Sequence, residues 1–544
     1  MNSEQSLSYA ISVVMPRVNN NSRGKNGHLE IPPEEWLREK IDRYYHMGIG
    51  DTEMLPLLKD LPEFKSNGWG LGLTTLKSLR KKWGYQGTRQ QHHTVDSIKE
   101  AAAAVRRRYP LAGERDMKMH LQKEHKMKVP KRVINAYFQM YEPEGIKQRK
   151  ARKLKRKRFW AAGVNDLWAF DQHDKWQRFG LWLHTGIEPF TGKIFYIRVW
   201  WTNKNPRLIA NYYLDVVKEL GFMPLVTQSD PGSENYGIAN AHTALRHYHD
   251  PSLKGTLQHR WMRSKKNVKP EITWSQMRRR FTPGFENILE VGIDNGWYDP
   301  DEPLETLVFR WTIIPWLQGE LDDWVVRHNS TAPRADKNKV LPHGRPDILF
   351  EHAHMNGCLN FKVTVDPNAI TEMRRLYAPP ENQVLQLVPP AFDKLARQFY
   401  HDLGSPEINS ESVWGVYYDL LQLFVAWEDM DEVQLAIEAV LDEADEQPME
   451  KLPDLRELRN GDEVVGPDGY YYMGGVDKGF VGRGDTVEGL QTGGGIHEIQ
   501  ADGQSKAERR LAAIREQELS SDEELYVKFS DESNSEDESN NEDE

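Results

Sequence analysis

Cysteine is nearly missing from this chain: Cys358 stands alone among 544 residues. A single cysteine excludes an intrachain disulfide framework and every zinc site that needs several thiolates. Long apolar runs are missing too. None approaches the ~20 residues of a membrane span, and the N-terminus has no secretory pattern. An intracellular protein with no membrane partner is expected. Basic residues are scarce at the end: Glu516 to Glu544 holds 13 Asp/Glu and one Lys.

What is present is spread unevenly. The formal net charge is −11, yet that tail alone carries −12 and the other residues sum to about +1. Between Gly72 and Arg158 there are 25 Lys/Arg against 7 Asp/Glu, a net +18. A basic region and an acidic tail in one chain point to a polyanion partner. The length suggests two to four domains, and 17 tryptophans fit a globular core with long solvated ends.

Residues 1–30 are rich in Ser and Asn and read as disordered. A helix should begin at "PPEEW", where Pro33 suits a first turn and acids follow it. "DTEMLPLLKDL" and "LTTLKSLRKKWGY" read as two more short helices. In the last of these, Leu73, Leu76 and Leu79 should face inward, with Lys77, Arg80, Lys81 and Lys82 outward. Three short helices ending in a basic one suggest a helix-turn-helix-like module over 31–90. The pattern repeats over 91–160 in "SIKEAAAAVRRRY", "ERDMKMHLQKEH" and "PKRVINAYFQMY", whose basic entry includes Lys131 and Arg132. Either module reads as a plain helical bundle with a solvated basic face, or as a DNA binder. "IKQRKARKLKRKR" holds nine basic residues in thirteen, among them Arg152, Lys153, Lys155, Arg156, Lys157 and Arg158. It reads as a solvated linker, an import signal that would place the protein in the nucleus, or a phosphate-binding strap.

From Asp166 the periodicity changes. "DLWAFDQH", "LWLHTGIEP" and "KIFYIRVWW" read as strands, the last two joined as a hairpin at Gly192. "PRLIANYYLDVVKELG" is an amphipathic helix ended by Gly221. "MPLVTQSD" is the next strand. After a loop, "PEITWSQMRRRF" is a helix entered through Pro270. Three strands, a helix, a strand and a helix make a mixed α/β layer. Residues 356–446 read as a helical extension, 447–500 as a small β-rich unit with Asn-Gly and Asp-Gly turns, and 501–544 as a disordered acidic tail.

Three acids stand out by position. Asp171 lies on the first strand, Asp230 ends the later one, and Glu271 sits in the first turn of the following helix. Neighbouring strands lie ~4.8 Å apart, so the three could converge on one point. Converging carboxylates resist ionising unless a cation neutralises them. Mg²⁺ prefers such oxygen ligands, and two ions ~3.5–4 Å apart suit displacement at a phosphodiester. Taken singly, each acid also has a plain structural role. Asp230 could cap the Pro-Gly turn, Glu271 favour the helix N-terminus, and Asp171 pair with Arg178 or Lys175.

The surrounding residues are more telling. "DLWAFDQHDKW", "SDPGSEN" and "NVKPEITW", in this order, resemble the integrase catalytic core of retroviral integrases and many transposases, nearest to the integrase core domains carried by eukaryotic genomes. The first family motif is matched by Asp171, His173, Asp174 and Lys175. The second is matched by Asp230, Gly232, Ser233, Glu234 and Asn235. The third is matched by Asn267, Glu271 and Trp274. "TNKNP" and "HGRPDILF" look like the family as well, and the resemblance covers roughly residues 100–355. It departs from the family at Pro270 and Ile272, which flank Glu271. The forty residues between Asp230 and Glu271 exceed the usual spacing and suggest a grown loop. The zinc domain of retroviral integrases cannot form with one cysteine.

The resemblance implies an RNase H-like core over 161–355, with a mixed five-stranded sheet and flanking helices. It also implies a catalytic triad of Asp171, Asp230 and Glu271 holding Mg²⁺ or Mn²⁺. His173, Asp174, Lys175, Glu234, Asn235 and Asn267 would then support the site or touch substrate. Three readings stay open: a DNA-integrating polynucleotidyl transferase, a domesticated DNA- or chromatin-binding protein with an inactive core, and an RNase H-type nuclease. DNA is the expected partner, and self-assembly into a homo-oligomer stays open.

Overall fold

The computed structural model describes residues 29–150, 159–262, 267–333, 341–427, 430–441, 449–452, 455–458 and 471–472. The basic residues Arg152 to Arg158, the acidic tail and most of the expected β-rich unit lie outside the described residues. Of that unit, Tyr471–Tyr472 pairs in parallel with Phe159–Trp160.

At the centre is one five-stranded sheet. Its strands are β1 (Leu167–His173), β2 (Trp182–Glu188), β3 (Lys193–Trp200), β4 (Val226–Ser229) and β5 (His259–Trp261), in the order β3-β2-β1-β4-β5. The meander β1-β2-β3 is antiparallel, while β4 and β5 run parallel to β1. The β2-β3 turn passes through Gly192 at φ 81, a left-handed conformation that favours glycine. Parallel strands need crossovers. The Pro206–Leu220 helix supplies the first, and the Tyr236–His249 helix the second.

Side chains alternate across a strand, and β1 shows what this does. Trp168 and Phe170 point into one apolar layer, with Leu208, Tyr213 and Leu214 of the first crossover helix and Ile238, Ala241 and Leu245 of the second. Ala169 points into the opposite layer, beneath Trp274 and Met277 of the Val268–Arg280 helix and Ile313 and Leu317 of the long Pro303–Ser330 helix. By the same alternation Asp171 and His173 face the Val268–Arg280 helix.

The segment between Asp230 and Glu271 is not the simple loop expected. It contains the Tyr236–His249 helix and β5. Ile238, Ala241 and Leu245 recur at helical spacing there, which explains the helix. The third helix begins at Val268, so Pro270 is its third residue; a first-turn N–H needs no intrahelical partner.

The N-terminal helices Glu34–His46, Asp51–Asp60 and Leu73–Lys82 close their own small core around Leu37, Ile41, Leu58 and Leu76. Arg80 is a correction. It is buried against Asp51, not outward, because it follows Leu76 by four residues and shares its inward face. Lys77 and Lys81 are exposed. Lys82 is also exposed and lies 3.1 Å from Glu34. This unit docks on the Pro346–Glu351 region: Asp60 lies 2.5 Å from His352 Nδ1 and 2.7 Å from His354 Nε2. The second set of basic helices and the C-terminal helices Pro390–Asp402 and Val413–Ala426 join the same apolar cluster as the sheet. Lys131 and Arg132 stand exposed at the start of the Lys131–Tyr141 helix, Lys131 2.9 Å from Glu114. Among the described residues, no helix is long and apolar enough to cross a membrane.

Candidate active site

Register brings the first two acids together. Leu167, Trp168 and Ala169 of β1 sit level with Val226, Thr227 and Gln228 of β4. Two further steps in that parallel register make Asp171 level with Asp230, on strands ~4.8 Å apart. Asp171 is buried on β1, two residues before its end, and Asp230 follows the last residue of β4, half-buried.

The carboxylates feel one another. Burial, then the charge of Asp230 and more weakly that of Glu271, holds the Asp171 carboxyl well above the usual range. The Asp230 carboxyl is pushed up to about 6, by burial first and Glu234 second. Each group is therefore reluctant to carry its charge without a counter-ion. Asp230 Oδ1 is buried with no hydrogen-bond partner, as is Asn235 Oδ1. Such orphaned acceptors are costly unless a donor or cation satisfies them.

Trp274 ties the third element to the first. Its indole Nε1 donates to Asp171 Oδ2 at 2.9 Å, and the His173 ring stacks on it at 4.8 Å with 14° between planes. Asp171 thus pairs with neither Lys175, which is exposed, nor Arg178, which meets Glu290 at 2.6 Å. Burial, and then Lys175, lowers His173 to about 4, so its ring is neutral at physiological pH.

Asn267 fixes where that helix starts. Buried, it donates from Nδ2 to Phe170 O at 2.7 Å and accepts from Gln228 Nε2 at 3.2 Å, joining β1 and β4 from one side chain. Glu271, one helical turn later, is exposed above the two strand-borne acids.

The turn after Asp230 is held similarly. Asn235 Nδ2 donates to Asp230 O at 3.0 Å and to Glu234 Oε1 at 3.1 Å, and Glu234 accepts from Gln172 on β1. The Glu234 carboxylate folds over Gly232, where an added Cβ would lie 1.9 Å from it, so a larger residue would have to push that carboxylate aside. Asp174 points elsewhere and accepts from Asn203 Nδ2 at 2.7 Å. Asn203, in the "TNKNP" stretch, also donates to Leu183 O at 3.2 Å. It anchors the loop after Asp171, a role that spacing alone did not reveal.

The donor set fits a hard divalent cation in part. Asp171 and Asp230 are paired oxygen donors, and Asp230 Oδ1 is unsatisfied, which suits Mg²⁺ or Mn²⁺. Among the described residues, however, no three His, Cys, Asp or Glu side chains form a ready metal cluster. Glu271 lies near enough to act on Asp171 electrostatically and remains the outermost of the three.

A mixed five-stranded sheet, with two acids level at the ends of its central parallel strands and a third on the packed helix, is a polynucleotidyl transferase-like fold. Comparison with protein families bears this out. Residues 159–358 match the model described as integrase core domain, so the chain carries such a domain there. A search of curated proteins found no match. Domains of this family generally use divalent metals and bind DNA.

Proposed function

We propose that the chain is an integrase- or transposase-like polynucleotidyl transferase acting on DNA. The observation that carries this reading is the level placement of Asp171 and Asp230 beneath the Glu271 helix. When bound, Mg²⁺ would polarise the phosphodiester and favour an ionised attacking hydroxyl. Asp171, Asp230 and Glu271 would hold the ions. Trp274 restrains one Asp171 oxygen and so fixes how the carboxylate would meet a cation. Asn267 sets the height of Glu271 over the strands. Neutral His173, flat on Trp274 beside the site, presents a ring edge to substrate without adding charge. The basic residues Lys77, Lys81, Arg132 and the 152–158 run would hold the DNA backbone, and the latter could direct the chain to the nucleus.

The test is a nicking and strand-transfer assay with Mn²⁺ on full-length protein. Wild type should cut or join DNA, and Asp171→Asn, Asp230→Asn and Glu271→Gln should each lose at least a hundredfold. The exposed position of Glu271 favours a second reading: a domesticated DNA- or chromatin-binding protein that keeps the core as scaffold. DNA binding with no cutting under any divalent cation would select it.

A further inference from the structure

Beside the Asp230 turn, a cavity of about 210 Å³ opens between the core and a strap from the C-terminal part of the chain. Its inner side is Pro231, Gly232 and Ser233, which directly follow Asp230, and Tyr236 at the start of the crossover helix. Its outer wall is Trp261 at the end of edge strand β5, with Lys451 and Glu457 of the strap.

The strap is firmly seated. Asn240, buried on the crossover helix, donates to Glu450 O at 2.9 Å and accepts from Leu452 N at 3.1 Å. Leu257 N donates to Arg456 O at 3.0 Å, and Arg456 N donates to Gly255 O at 3.0 Å, so the strap is bridged to the segment just ahead of β5. Leu458 then inserts among Leu167, Val226 and Met262.

Three observations say what the cavity would hold. It is smaller than the ~300–1,000 Å³ pockets that enclose drug-sized ligands, so one ring system suits it. Its walls are aromatic and charged: Tyr236 and Trp261 lie 5.6 Å apart at 77°, Lys451 Nζ is 5.7 Å from the Trp261 ring centre, and Lys451 pairs with Glu457. Finally, Trp261 is 93 % buried, so the ring that forms this wall is held in place. A fixed aromatic wall with a cation and a carboxylate at its side matches a nucleobase, which offers a flat π face and an edge of mixed donors and acceptors.

We propose that this cavity receives one unstacked nucleobase of the DNA substrate, next to the phosphodiester presented to Asp171 and Asp230. This rests on the DNA-processing reading, because the cavity begins one residue after Asp230. A base extruded here would hold the neighbouring phosphate in register with the carboxylates. Single-stranded or frayed ends would be favoured, since unstacking them costs least.

The test measures binding of the full chain in EDTA, so that neither metal nor cleavage enters. The probes are a short duplex with a single-stranded 3′ end and the same duplex with each end base in turn made abasic. Stacking of one base changes affinity roughly 5- to 150-fold, and one abasic position should weaken wild-type binding within that range. Trp261→Phe replaces the indole wall with a smaller ring; Lys451→Met keeps the stem and removes the charge. Both should weaken binding of the intact duplex severalfold and leave that of the abasic duplex within twofold, with melting temperatures unchanged. Abasic probes that bind as tightly as intact DNA overturn the proposal, as do variants that lose equally on both probes. If wild type binds neither probe, the DNA reading falls with it.

Discussion

Asp230 leaves a carboxylate oxygen buried and unbonded, and its carboxyl is raised to about 6. The sign of the consequence is fixed. A carboxyl whose folded pKa lies above its unfolded value of about 3.9 favours the folded state fully at pH below 3.9. That contribution is lost as pH rises through 6 and amounts to no more than about 3 kcal/mol. In EDTA, Asp230→Asn should therefore be more stable than wild type at pH 7.5, with the difference shrinking towards pH 4. Melting scans across that range check it. Trp274 is the second residue-scale test. Trp274→Phe keeps the stack on His173 and removes the N–H that restrains Asp171 Oδ2. It should weaken Mn²⁺ binding several-fold with little loss of stability; unchanged Mn²⁺ titration curves would show that the hydrogen bond does not position the acid.

At the scale of elements, the Val268–Arg280 helix is set on the sheet by Asn267 and Trp274, from opposite sides of Glu271. Asn267→Ala would leave Phe170 O and Gln228 Nε2 unpaired in a buried place. The cost should be about 2–4 kcal/mol, read by chemical denaturation, and a loss under 0.5 kcal/mol would remove Asn267 from this role. The strands β1 to β4 and the helices with strong apolar periods were legible from sequence because alternation and 3.6-residue spacing report burial directly. So were the three acids, from the motifs around them. The Tyr236–His249 helix was hidden by its Asn, His and Gly content, and β5 by having only three residues. The charge of Arg80 masks its inward position, which only its four-residue spacing from Leu76 reports. The contacts of Trp274, Asn203 and Asn267 join segments far apart in sequence, and no local pattern encodes them.

Across the whole molecule, charge is segregated while packing is shared. The helices from Val95 to Tyr141 contribute to the same apolar cluster as the sheet. DNA bound along the basic helices would therefore be held by a body continuous with the site. With +18 between Gly72 and Arg158, affinity should fall steeply with salt, log K dropping by about 0.9 per neutralised phosphate for each tenfold rise in salt. Deleting 516–544 should raise affinity at low salt by removing a tethered acidic competitor. Salt titrations of both chains check this, and equal affinities at low salt would assign the tail another role. The central claim is that Asp171, Asp230 and Glu271 together hold divalent cations. Its most direct test is the melting temperature of the full chain titrated with Mn²⁺, for wild type and the three variants. A cation that binds only the folded state must raise it. The melting temperature should rise by several degrees in wild type, not at all in Asp171→Asn or Asp230→Asn, and by less in Glu271→Gln. No rise in wild type, or an equal rise in all four proteins, would contradict it.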